Sequence, residues 1–200
     1  MQLVLEADPT ANFPALDAFW SVNNTPLSGS PDVGEIGTSY YTTDPDGGQP
    51  NPSLFLLGDA DSDTEEFDDH VVVHEWGHYF EDNFSRSDSI GGAHSLGESL
   101  DARVAFGEGF ATALAAMSLD EPLYCDTGVA GVASGYGIDA ESGNIGIQGW
   151  FNELSVVTFL YDLFDTTNES GDTGSIGFAP IYATLTGPQA ETPAFTSAFS

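Results

Sequence analysis

Lysine is absent from this chain and arginine occurs twice, at Arg86 and Arg103, against 32 acidic residues, so the formal net charge is −30. Such a surface repels a phosphate backbone, which excludes sequence-independent binding of nucleic acid, and it disfavours an anionic membrane for the same reason. No apolar run approaches the 18 or so residues of a membrane span, so membrane insertion is not expected. Cys125 is alone, which rules out an intrachain disulfide, leaves secretion undecided, and reads as a small buried hydrophobe. Residues 1–11 lack the basic start and apolar core of a signal peptide, and the chain reads as a piece trimmed from something longer.

What is present suffices for a core. Hydrophobic residues make up 40% and aromatics 12% of the 200 residues, which fits one domain spanning 1–200, with 1–35 as an irregular lead-in. The excess acid attracts cations and strains the folded state by self-repulsion, pointing to saline or calcium-containing surroundings, or simply to solubility.

Residues 12–52 are rich in turn formers, with a β-prone run at 36–42 between turn signals at Pro31-Asp32 and Asp44-Pro45-Asp46-Gly47. A second apolar run, 54–57, reads as a strand whose edge could accept an extended peptide. Ser62-Asp63-Thr64-Glu65 fits a capping box, and the pattern beyond it predicts a helix over 64–84. A glycine- and serine-rich loop follows at 85–97, then a helix over 100–117 whose alanines would admit a close neighbour. Residues 120–149 read as irregular, 151–164 as a strongly apolar helix, and 180–185 as a short helical piece.

The sharpest feature is His74-Glu75-Trp76-Gly77-His78. Histidines four apart on a helix are rotated by about 40° and displaced by about 6 Å, so both imidazoles leave one face and can share one tetrahedral ion, zinc above all. Glu75 then reaches water beside the ion rather than the ion itself. Catalytic zinc needs a third protein ligand. A metzincin arrangement is excluded, since Phe84 stands where its histidine belongs and Glu81 where its glycine belongs. His70, His94 and Glu108 remain. His70 shares the helix face, but three ligands from one straight helix cannot surround an ion. Two turns after His78, a reversing loop and two returning turns bring Glu108 level with the histidines, so Glu108 is the expected third ligand.

The chemistry expected of this set is amide hydrolysis, with zinc polarising the carbonyl and Glu75 as general base. An additional donor for the oxyanion is needed, and Tyr161, Tyr136, His94 and Arg103 are the candidates. A bound calcium ion is a further expectation. The run Asp59-Ala60-Asp61-Ser62-Asp63 begins like a calcium loop, although Thr64 in place of glycine and His70 in place of the bidentate Glu exclude an EF-hand and leave only a looser site.

His74-Glu75-x-x-His78 followed by Glu108-Gly109-Phe110-Ala111 resembles the gluzincin zinc metallopeptidases, and the run 74–110 is similar to a family of uncharacterised secreted bacterial metallopeptidases. The resemblance implies an α+β, zincin-like fold in which a small twisted sheet packs on an active-site helix and a second helix carries the last ligand. It also implies a peptide or protein substrate and an extracellular or periplasmic setting. Two departures stand out. Thr112 occupies the position where thermolysin-like members carry an aspartate that orients a zinc-bound histidine, and the chain is much shorter than those enzymes. The alternatives are an inactive zinc-containing binding or structural domain, or a zinc hydrolase of a non-peptide bond.

Overall fold

Helix α3 (Ala102–Leu119) is predominantly apolar, and every residue from 104 to 117 on it is buried. A helix apolar on all sides belongs at the centre of a fold. The computed structural model of the chain describes residues 1–43, 50–128, 134–143, 147–167 and 174–200. Asp101 opens α3 by accepting the Arg103 backbone N–H at 3.0 Å, and Asp120 closes it in the left-handed conformation at φ 54°.

Two helices flank α3 at close range. On one side lies α2 (Asp69–Phe84), on the other α4 (Glu153–Phe164). A Cβ at Gly77 would lie 2.8 Å from the Ala111 Cα, and one at Gly109 would lie 2.6 Å from the Val156 Cβ, so glycine at both crossings is what lets the backbones approach. The close approach expected from the alanine-rich stretch therefore exists, with glycines as its contact points. Phe80, Phe110, Leu114, Val156 and Val157 fill the core between the three helices.

A small mixed sheet stands beside them. Strand β3 (Ser53–Leu56) lies in the middle, parallel to β1 (Asp17–Trp20) and antiparallel to β2 (Tyr40–Thr42). Phe19 and Tyr40 stack on either side of Phe55 at 5.0 and 4.9 Å, tying the three strands together on one face. The chain is thus α+β, and among the described residues no helix is long and apolar enough to cross a membrane.

Several expectations change. The 54–57 run is a strand, but a central one, so its edges are already taken by β1 and β2. The 36–42 run shortens to β2, with Ile36 outside it in an isolated bridge to Ser28. The stretch 1–35 is not an irregular lead-in. It supplies β1 and helix α1 (Gln2–Ala7), whose Val4 is wholly buried in the main core, while the Pro14 carbonyl accepts the Tyr79 hydroxyl at 2.6 Å. The capping box at 62–65 caps nothing. A 3₁₀ turn, Glu65–Phe67, intervenes and α2 starts at Asp69. Residues 120–149 contain an antiparallel hairpin of β4 (Leu123–Gly128) and β5 (Ser134–Asp139), on which Cys125 is exposed rather than buried. The final helix, α5 (Phe178–Thr184), runs on into a π-helical turn, Leu185–Gln189. The turn signal at 44–47 falls outside the described residues.

Gly109→Ala should destabilise the protein. Alanine gains about 1 kcal/mol of helix propensity, but a methyl group 2.6 Å from Val156 Cβ and 2.7 Å from the Glu153 carbonyl forces α3 and α4 apart, and overpacking of this kind costs about 1–3 kcal/mol. The expected result is a lower urea midpoint with an unchanged slope; an increase would contradict the packing described.

Candidate metal centre

Helical geometry places His74 and His78 one turn apart on α2, and the Gly77–Ala111 crossing brings the middle of α3 up against them. Their Nε2 atoms lie 3.1 Å apart, and each lies 3.3 Å from the same oxygen of Glu108, Oε2. Three donors so spaced form one face of a tetrahedron whose centre-to-corner bonds of about 2.0–2.1 Å require edges of about 3.3 Å, the geometry of nitrogen and oxygen ligands on zinc. His74, His78 and Glu108 thus form a group compatible with a metal ion. His70, rejected on the sequence, is turned to the Glu121 carbonyl at 3.5 Å instead.

Glu108 is a carboxylate inside an apolar helix. Burial alone would raise its pKa, but hydrogen bonding to His74 and His78 and their charge outweigh it and hold the group well below the ordinary carboxylate range. The reciprocal effect is seen at His78, where burial pulls downward yet Glu108 pushes the imidazole up to about 9. A metal ion bound here replaces the proton that this pair otherwise shares, since coordination needs neutral imidazole and ionised carboxylate.

Around this triangle lies a supporting layer. Thr112, one turn beyond Glu108, holds His74 Nδ1 at 2.9 Å with its hydroxyl. With the proton on Nδ1, His74 donates to Thr112 and keeps the Nε2 lone pair toward His78 and Glu108, where a metal ion would sit, the orienting role that the aspartate departure had left without an owner. His94 enters from the 85–97 loop with Nε2 at 3.4 Å from Glu108 Oε2 and 3.7 Å from Glu153 Oε2. That loop is stapled down. Arg86 pairs with Asp88 at 2.8 Å and donates to the Thr192 and Ala194 carbonyls, while Asn152, the cap of α4, donates to the Leu96 and Glu98 carbonyls at 2.8 and 3.0 Å.

The centre opens into a cleft of about 730 Å³, bordered by β2, the 91–96 loop and the β4–β5 hairpin. Glu75, only 7% exposed, lines it together with both histidines. Of the four candidates for the oxyanion donor, His94 and Tyr136 border the cleft. Tyr161 does not; it is 3% exposed in the helical core, because the buried face of α4 and not its cleft end carries it. Arg103 is also elsewhere, bound to Asp101 at 2.8 Å and lying over the Phe195 ring at 4.8 Å. Of the two arginines, it is Arg86 that ties down the 85–97 loop.

Glu153 was missed. It is 4% exposed, its Oε2 has no hydrogen-bond partner, and burial raises its pKa while the nearby His94 opposes that rise. In the sequence it is an acid in the first turn of a helix, and nothing distinguishes it from a residue placed there for the helix dipole.

Thr112→Val preserves volume and removes the hydroxyl, and should weaken binding of a divalent metal ion by about 10–100-fold in competition with a chromophoric chelator, with helicity unchanged. Glu108→Ala should lose stoichiometric binding altogether. Comparison with protein-family models, with curated proteins and with solved structures finds no match to this chain.

Proposed function

We propose that the chain is a zinc-dependent peptide hydrolase of zincin-like fold, with His74, His78 and Glu108 as ligands and Glu75 as general base. The observation that carries this reading is the near-equilateral triangle of donor atoms, with edges of 3.1, 3.3 and 3.3 Å, beside a carboxylate on the floor of a cleft. The similarity of 74–78 and 108–111 to gluzincins points the same way. Zinc, when bound, would act as a Lewis acid toward a carbonyl and make water nucleophilic near neutral pH.

The chain's own residues do the rest. Glu75 accepts the proton of the attacking water and returns it to the leaving amine nitrogen, a task for which its place next in sequence to His74 aims it along the cleft rather than at the ligand triangle. Carbonyl oxygen acquires negative charge as water adds, and the His94 imidazole at the cleft edge is a donor placed to offset it, with Tyr136 across the cleft as the alternative. A peptide is favoured over an ester or glycan by β2. It is an outer strand of the three-stranded sheet among the described residues, and Thr38, Ser39 and Tyr41 in and before it border the same cleft. A sheet flank beside a reaction centre aligns an extended main chain.

Zinc-loaded wild type should cleave quenched peptides in a chelator-sensitive way and leave esters and glycans intact. Glu75→Gln should keep its zinc and lose about 10²–10⁴-fold in kcat/KM. Full turnover by Glu75→Gln, or preference for a non-peptide substrate, would overturn the assignment; no turnover by wild type on any substrate would indicate a binding domain.

A further inference from the structure

A second group of acids lies at the far side of the cleft, around the start of α2. Oxygens of Asp63, Glu65, Asp68 and Asp126 all fall within 4.8 Å of one another. Asp63 and Glu65 precede the helix, Asp68 occupies its cap position, and Asp126 comes from β4. The backbone brings them together through isolated bridges from Asp63 to Asp59 and to Gly128.

Ordinary roles do not absorb this cluster. Acids at a helix start commonly cap it, yet α2 has no side-chain cap hydrogen bond. Asp68 instead accepts from the Thr127 backbone N–H at 3.1 Å and the Thr127 hydroxyl at 2.7 Å. Glu65 is 4% exposed, and its Oε2 is buried without any hydrogen-bond partner, as is Oδ1 of Asp63. Nor can the protein's fixed cations help, because Arg86 and Arg103 are the only two and they pair with Asp88 and Asp101. Burial, with the surrounding carboxylates, pushes Glu65 up to about 9 and Asp63 to about 6, the signature of anions crowded without a counter-charge.

From these observations we infer that Asp63, Glu65, Asp68 and Asp126 form a calcium site that clamps the start of the metal-bearing helix to the β4–β5 hairpin. Four carboxylates supply up to eight oxygens and no nitrogen or sulfur, a donor set for a hard cation. Calcium takes six to eight such ligands with tolerant geometry, whereas magnesium prefers fewer protein ligands and keeps its water. A lone ammonium group would leave most of the charge uncompensated. This differs from the calcium loop read from the run 59–63. Asp59 is used within its own turn, accepting from the Asp61 N–H at 3.2 Å and the Ser62 hydroxyl at 2.9 Å, and only Asp63 of that run reaches the cluster.

The inference stands independently of the zinc reading and is tested on the full chain, stripped of calcium and loaded with zinc. Calcium at about 100 times its dissociation constant should raise the thermal midpoint by about 5–10 °C. Calorimetry should show one tight site above the weak binding of the acidic surface. In Asp63→Asn/Glu65→Gln the midpoint should no longer respond beyond the effect of equal ionic strength, while zinc content stays the same. Terbium luminescence, sensitised by Tyr136, which hydrogen-bonds Asp126 of the cluster, and displaced by calcium from wild type but not from the variant, keeps the test decisive should the double variant be poorly folded. An equal response to calcium in wild type and variant, or a wild type that binds no calcium tightly and displaces no terbium, would show that the carboxylates merely share protons and would overturn the inference.

Discussion

Glu108 is 9% exposed on a helix whose residues 104–117 are all buried, and an ionised carboxylate in that position must be paired or it costs several kcal/mol. Its Oε2 finds imidazole nitrogens of His74, His78 and His94 at 3.3, 3.3 and 3.4 Å. Much of the architecture serves that meeting. Gly77 permits α2 to lie against Ala111, Thr112 turns the His74 ring, and Asn152 with Arg86 holds the loop that delivers His94.

Charge is distributed under one constraint, the near absence of fixed cations. Each arginine is spent on a local acid and a structural contact, so neither reaches the cleft. Histidine is left to answer the buried acids around Glu108, whereas Glu65 keeps a buried oxygen with no hydrogen-bond partner. A protein built this way depends on its surroundings for positive charge. Salt screens the exposed acids, but buried groups are screened far less and call for ions held in place.

The fold was legible where the signal is local. Helices at 100–117 and 151–164 match α3 and α4 within two residues at each end, since their apolar spacing lies within the helices themselves and the capping residues Asp101 and Asn152 immediately precede them. The hairpin β4–β5 was not legible, because Gly135 and Gly137 erase the alternation that marks a strand and their reason for being there is the opposing strand. Strand β1 is four residues long in a turn-rich stretch and is stabilised by pairing with β3, more than thirty residues away. The apparent capping box at 62–65 misled because serine and glutamate at that spacing are drawn there by a turn and an acidic cluster.

By itself the sequence determined that His74 and His78 share a helix face, that Glu75 stands beside them, and that a carboxylate on the returning helix could join them, because helix pitch and loop length are properties of short segments. Tertiary packing alone decided the rest. Rotation of α4 about its own axis put Tyr161 in the core and Glu153 at the cleft, and the crossing of α2 and α3 made Thr112 the partner of His74. The docking of β4 carried Asp126 to acids at the other end of the motif helix. Such choices depend on which faces of distant elements fit together, and no spacing within one element encodes them.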